Sequence, residues 1–199
     1  MTGLELRPLR REEVGWVYRW EMKETFPRAE RRSLGHIRAM MDRGVYDGWG
    51  LFRREELLGY AFLWRGPSFV LLDYLAVCRG KRGAGLGSAL LEGLQGRYSG
   101  AAGILAEAEA PEGAPEEEQD LRRRRLDFYR RLGFAELKYR AEIFTVRYAV
   151  LAWSAGGAPD ETAAQEAHAA LYRGELPGPL FRRFIHIPAP PEDNERDIL

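Results

Sequence analysis

The chain has 199 residues with 30 basic and 30 acidic side chains, so its formal net charge is zero and bulk electrostatics directs it to neither nucleic acid nor a membrane surface. Three histidines and one cysteine, Cys78, argue against a structural zinc site, rule out an internal disulfide and fit a reducing cytoplasm. At 45% hydrophobic the chain can bury one real core, and it contains neither a bilayer-length apolar run nor a charged-then-apolar leader at Thr2-Gly3-Leu4-Glu5.

Leu4-Glu5-Leu6-Arg7 alternates as a short strand that Pro8 breaks. Arg10 to Phe26 reads as a helix with Val14, Val17 and Trp20 toward the core, stopped by Pro27. Arg31 to Arg43 reads as a second helix, ended by Gly44. Trp49 to Arg53 and Leu57 to Arg65 are two strands around a charged turn, and Gly66-Pro67-Ser68 turns into an apolar strand over Phe69 to Val77. A helix then runs to about Tyr98, with Leu86, Leu90 and Leu94 as its apolar stripe. Ile104 to Ala108 is the next strand, Gln119 to Leu132 the next helix, and Phe134 to Tyr148 holds one or two further strands.

Beyond Val150, Trp153 to Pro159 reads as a linker, and Asp160 caps a helix running to about Tyr172. Leu176-Pro177-Gly178-Pro179 breaks that helix, and Phe184-Ile185-His186-Ile187 suits a last edge strand. The chain thus divides into a domain over 1–150, an extension over 151–187 packed on it, and a disordered tail over 188–199. The extension is an acceptor-pocket wall, a homodimer contact or a structural appendage.

Between the strand at 69–77 and the helix that follows lies Arg79-Gly80-Lys81-Arg82-Gly83-Ala84-Gly85-Leu86-Gly87-Ser88. A glycine-rich turn opening a helix presents unpaired N–H groups and the positive end of the helix dipole, which suits a phosphate or pyrophosphate. The P-loop pattern fails because no Lys stands between a glycine and Ser or Thr, and G-x-G-x-x-G fails because Gly83-Ala84-Gly85 is followed at 88 by Ser where the third glycine is needed. The pattern R/Q-x-x-G-x-G/A is met in full by Arg82 to Gly87. With Leu75-Ala76-Val77 before it, this segment resembles the acyl-CoA pyrophosphate loop of the GCN5-related N-acetyltransferases, the GNAT family.

Leu126-Asp127-Phe128-Tyr129-Arg130-Arg131-Leu132-Gly133-Phe134 resembles that family's later signature, an aromatic-bearing helix ending in Leu-Gly-Phe. The resemblance covers roughly residues 3–148. It implies an α/β GNAT fold, a mixed and strongly twisted central sheet with helices on both faces, here with a short C-terminal helical extension. It further implies acetyl-CoA as co-substrate without a metal, and direct transfer of the acetyl group to a primary amine of a small molecule or peptide. The alternative is a catalytically silent member that binds acyl-CoA as a sensor or interaction module.

By the same resemblance, Arg82, Gly83, Ala84, Gly85, Leu86, Gly87 and Ser88 hold the pyrophosphate, and the backbone of Leu75, Ala76 and Val77 holds the pantetheine arm and the oxyanion. Acetyl transfer to an amine needs a base for the ammonium proton and an acid for the leaving thiolate. In Ile104-Leu105-Ala106-Glu107-Ala108-Glu109 the two glutamates share a strand face. Glu107 stands where relatives of the ribosomal-protein-acetylating type carry a catalytic glutamate; the other reading is a solvated carboxylate at a strand end. Asp73, inside an apolar strand, is the rival base, because a charge there must face a ligand or a cationic partner. Tyr129 matches the tyrosine that protonates the coenzyme A sulfur in many relatives, and a core tyrosine is its competing role. Cys78 lacks a nearby His and reads as packing. The acidic stretch from Glu107 to Asp120 and the run Arg122-Arg123-Arg124-Arg125 read as helix-dipole complements and as the pairs Glu118/Arg122 and Asp120/Arg124. The acidic loop could also serve as a lip for a cationic acceptor.

Overall fold

The computed structural model describes residues 3–191. Its contacts fall into two units, one made of the chain up to Arg65 with Val70–Gly100, the other of Gly66–Phe69 with the chain from Ala101 onward.

In the first unit β1 (Leu4–Pro8), β2 (Tyr46–Arg53), β3 (Glu56–Arg65) and β4 (Phe69–Val77) pair in chain order, each antiparallel to the next. Phe62 faces Tyr74 while Leu63 faces Leu72, so Asp73 is the extra residue of a bulge in β4. Between β1 and β2 run α1 (Arg11–Val17), a π-helical turn (Tyr18–Met22), α2 (Lys23–Thr25), a 3-10 turn (Arg28–Glu30) and α3 (Leu34–Asp42). The expected single helix therefore carries a wide turn in its second half. That turn moves the apolar stripe from Val14 and Val17 to Met22, all fully buried, and leaves Trp20 63% exposed instead of in the core. The second helix starts at Leu34 and not at Arg31, because Ser33 caps it by accepting from His36 N–H at 3.1 Å.

After β4 comes α4 (Leu86–Arg97), which buries Leu86, Leu90, Leu91 and Leu94. A Cβ on its Gly93 would lie 2.9 Å from Leu6 Cδ2, so this helix packs closely on β1 and a larger residue there would require the Leu6 side chain to shift.

The second unit contains β5 (Gly103–Glu109), α5 (Glu116–Arg131), β6 (Ala135–Ile143), β7 (Val146–Trp153), α6 (Glu161–Glu175), α7 (Gly178–Phe184) and β8 (Ile185–His186). Its strands are ordered β5-β7-β6-β8, all antiparallel. β6 and β7 are joined by Phe144 and Thr145, both left-handed with φ of 47° and 71°, the backbone that a tight hairpin needs. Helix α5 begins at Glu116, earlier than the expected Gln119, since Glu116, Glu117 and Glu118 complement the dipole of its first turn. It ends as expected, with Gly133 at φ 81° and Phe134 N–H bonded to Tyr129 O. β7 runs through Trp153, so the linker before α6 is shorter than expected. Asp160 does cap α6, accepting from Ala163 N–H at 3.0 Å.

Residues 151–191 belong to the same unit as β5. The expectation of disorder from Pro188 does not hold for residues 188–191. There Ala189 N–H donates to Arg140 O at 2.7 Å, and the Arg147 guanidinium donates to Pro190 O at 2.9 Å. Residues 192–199 of that expected tail lie outside the described residues. Among the described residues no helix is long and apolar enough to cross a membrane.

Candidate active site

In the first unit, the glycine-rich loop turns on left-handed residues, with φ of 75° at Gly80, 89° at Gly83 and 69° at Gly85. A Cβ at any of the three would meet no atom within 4 Å, so backbone conformation, not crowding, is what calls for glycine here. No side chain caps the start of α4, so its first N–H groups keep their donor capacity. Arg82, Gly83, Ala84 and Gly85 are exposed, Gly87 and Ser88 half-buried, and Leu86 buried as the helix's anchor. The loop is held at its base by Arg79 N–H donating to Glu21 Oε2 at 3.1 Å and by the Lys81–Glu56 ion pair at 2.5 Å. Arg82 has no ion pair among the described residues.

Upstream on β4, Leu75, Ala76 and Val77 sit opposite Ala61, Tyr60 and Gly59 of β3. A Cβ on Gly59 would lie 3.0 Å from Ala76 O, so a small residue is required beside this stretch. Cys78 is buried, and burial with nearby Glu21 pushes its thiol up to about 12, so it stays a protonated packing residue.

The bulge residue Asp73 has the cationic partner its position demands. Arg32 Nε lies 2.7 Å from Asp73 Oδ2, the two side chains are 19% and 13% exposed, and the Tyr46 hydroxyl donates to the same oxygen. Burial, then Asp73, hold the Tyr46 phenol well above its usual range. Next along β4, Tyr74 donates its hydroxyl to Glu30 O at 2.7 Å and accepts from Arg32 N–H at 2.9 Å. The bulge thus fastens the segment between the 3-10 turn and α3.

Glu107 and Glu109, on β5 of the second unit, share a strand face but not an environment. Glu109 lies against α5, with Arg122 Nε at 3.4 Å and Arg125 at 3.9 Å. Glu107 lies against α6, where His168 Nε2 is 2.6 Å from its Oε1 and the Tyr172 hydroxyl donates to Oε1 at 2.9 Å and to Oε2 at 3.1 Å. Behind them the Tyr139 hydroxyl is 3.1 Å from His168 Nδ1. His168 is fully buried, Tyr172 and Tyr139 nearly so, and the Glu107 side chain is 14% exposed. Burial first, then Glu107 and Glu161, push the Tyr139 phenol above its usual range, so Tyr139 keeps its proton.

Local sequence explains this assembly. On α6, Ala164, Ala167, His168, Leu171 and Tyr172 form one buried stripe, and a spacing of four sets His168 and Tyr172 on the same face. On β6, Glu136 pairs with Leu151 and Arg140 with Ala149, so four steps of β6 run past two of β7. The irregular stretch so created carries Tyr139, whose neighbour Lys138 donates its N–H to Glu161 on α6. The two partners of Glu107, His168 and Tyr172, and Tyr139 behind His168 were missed in sequence. The available signal was a lone His in an alanine-rich apolar stripe with an aromatic four residues on.

Tyr129 projects from α5 between Phe128 and Phe134, at ring distances of 5.3 and 5.4 Å. It is 8% exposed, its hydroxyl has no hydrogen-bond partner among the described residues, and burial pushes the phenol up to about 12 despite Arg125. Three arginines of the run form ion pairs: Arg122 with Glu118 at 2.8 Å as expected, Arg123 with Asp120 at 3.1 Å where Arg124 was expected, and Arg125 with Glu109 at 3.9 Å. Among the described residues no group of three or more His, Cys, Asp or Glu could hold a metal ion.

No family model matches the sequence, and no curated protein matches it. Solved structures do. A GNAT-family protein of Bacteroides thetaiotaomicron superposes with a TM-score of 0.64 at 23% identity, covering 85% of this chain and 94% of that one. The ribosomal-protein-S18-alanine N-acetyltransferase of Escherichia coli gives 0.59 at 18%, covering 79% and 97%. Arabidopsis thaliana NAA60, solved in complex with acetyl-CoA, gives 0.60 at 14%, covering 77% and 99%. At these identities the likeness speaks for architecture, and the architecture agrees with the motif order of the sequence: the chain has the α/β fold of the GNAT-family acetyltransferases.

Proposed function

We propose that this chain transfers the acetyl group of acetyl-CoA to a primary amine of a small molecule or peptide by direct attack. The observation that carries the reading is the loop Arg82–Ser88, which has three left-handed glycines at or just before it, leads into an uncapped helix and sits in a GNAT fold. Its free amide donors and Arg82 suit the pyrophosphate of coenzyme A. The β4 backbone at Leu75, Ala76 and Val77 is assigned to the pantetheine arm and the oxyanion.

In this reading Glu107 takes the proton of the ammonium, directly or through water, and the neutral nitrogen attacks the thioester carbonyl. A C–N bond forms, the tetrahedral oxyanion collapses, and the C–S bond breaks. Tyr129 donates its phenolic proton to the departing sulfur. Burial keeps that phenol protonated at neutral pH, as an acid must be. We also assign the protein to the cytoplasm, where Cys78 stays reduced.

The test is calorimetry with acetyl-CoA, then free-thiol release across a panel of amines: a polyamine, free lysine, and peptides with a free amino terminus. Absence of acetyl-CoA binding to folded protein overturns the reading. Tight binding with no acceptor turned over favours a silent acyl-CoA sensor instead.

A further inference from the structure

The carboxylate assigned as base does not stand alone at its strand end. It is met by two side chains that follow it by 61 and 65 residues, both from α6, a helix outside the stretch that carries the GNAT signatures. We infer that α6 is part of the catalytic apparatus, with His168 and Tyr172 as positioning residues that orient the Glu107 carboxylate and Tyr139 as the group that sets the His168 tautomer. This rests on the reading of Glu107 as base.

The hydrogen bonds allow one assignment in which every donor is used. The Tyr139 O–H donates to His168 Nδ1, so the ring proton sits on Nε2 and donates to Glu107 Oε1. The Tyr172 hydroxyl donates to the same carboxylate. A doubly protonated ring would turn its Nδ1–H onto the Tyr139 oxygen and leave the buried Tyr139 proton needing another acceptor. Neutral imidazole and ionised carboxylate are therefore the complementary states. Oε1 is engaged twice, by His168 at 2.6 Å and Tyr172 at 2.9 Å, whereas Oε2 has only the longer 3.1 Å contact. The lone pairs of Oε2 are the ones left to take a proton. Holding a base in one orientation removes a rotamer search from each turnover.

Burial makes the cluster costly unless it is complete. A fully buried imidazole and two nearly buried phenols are expensive to desolvate, and the hydrogen bonds that join them to one another and to Glu107 offset that cost. A helix whose role was packing alone could place Leu or Met at 168. The other charge near Tyr139, Glu161, is already bonded to Lys138 N–H and leaves the relay to Glu107 unchanged.

The first test needs no acceptor. Long-range 15N NMR of the histidine rings in the full chain, with His168 assigned from His168→Gln, should show a neutral ring protonated at Nε2. That resonance should shift in Glu107→Gln. A ring protonated at Nδ1, or one indifferent to Glu107→Gln, overturns the inference. The second test is kinetic, with acetyl-CoA and the best amine of the panel. His168→Leu should fold, keep the KM for acetyl-CoA and lose about ten-fold or more in kcat, and His168→Gln, whose amide can still donate to Glu107, should recover part. Tyr172→Phe should lose a few-fold. Combined with Glu107→Gln, His168→Leu should cost nothing further, because its effect runs through that carboxylate. An impaired Glu107→Gln beside an unimpaired His168→Leu overturns the inference alone. A fully active Glu107→Gln overturns the base assignment, and this role with it.

Discussion

Arg32 and Asp73 form a largely buried ion pair, Nε to Oδ2 at 2.7 Å, at the bulge of β4 against β3. The carboxylate that looked stranded in an apolar strand is thereby occupied, and it fastens the segment ahead of α3 to the sheet. Removing one member of such a pair leaves the other's desolvation uncompensated. Asp73→Ala should therefore lower unfolding free energy by about 2–4 kcal/mol in urea titration. Lost activity with unchanged stability would instead return Asp73 to the role of base.

Tyr129 separates activity from stability in the opposite way. Its phenol is buried without a partner among the described residues, so Tyr129→Phe should leave the melting temperature unchanged or slightly raised. If it protonates the leaving thiolate, kcat should fall about 100-fold while the KM for acetyl-CoA stays constant. Equal turnover by both proteins would leave Tyr129 a core residue.

Gly85 begins α4 at φ 69°, a conformation that a β-branched residue rarely adopts. Gly85→Val should cost about 1–2 kcal/mol in stability and abolish acetyl-CoA binding by calorimetry. Gly96, in the same helix with open space around it, is the control: Gly96→Ala should raise stability by about 0.5–1 kcal/mol and leave binding intact. Undiminished affinity in Gly85→Val would place the ligand elsewhere.

Glu13 closes the N-terminal turn of α1, accepting from both terminal guanidinium nitrogens of Arg7 at 2.8 and 2.9 Å and from Arg10 N–H at 2.7 Å. The Arg7 hydrogen bonds, partly opposed by burial, lower its carboxyl to about 2. A depressed carboxyl stabilises the fold above its unfolded value and loses that contribution as pH falls toward the folded value. Discounted for solvent screening, this is about 1–2 kcal/mol. Glu13→Gln should melt lower than the parent at pH 7, and the gap should close between about pH 4.5 and pH 2. A gap that is constant with pH would assign the effect to the capping geometry.

Cys78 should be silent toward thiol reagents in the native protein at neutral pH and react once the chain is denatured, because burial holds it protonated. Quantitative labelling under both conditions checks this. Rapid native labelling would contradict the packing at the end of β4.

The glycine loop, the apolar strand before it and the helix stripe after it were legible in the chain, because turn chemistry and side-chain period are local properties. Gly83, Gly85 and Gly133 took the left-handed backbone their positions demanded, and Leu86, Leu90 and Leu94 were buried together. Element boundaries moved where a neighbour competed. Ser33 captured the start of α3, a π-helical turn rotated Trp20 outward, and Ala189 bonded to β6 where composition suggested disorder.

What the sequence determined by itself was the order of elements and the glycine-rich turn into α4, both encoded within a dozen residues at a time. What only the tertiary structure decided was the company each carboxylate keeps. Glu107 and Glu109 are equivalent by strand period, yet one meets His168 and Tyr172 and the other Arg122 and Arg125. Strand alternation specifies a face and says nothing of which helix covers which part of it. That depends on the packing of α5 and α6 against β5, contacts between segments up to 65 residues apart whose pairing no local pattern records.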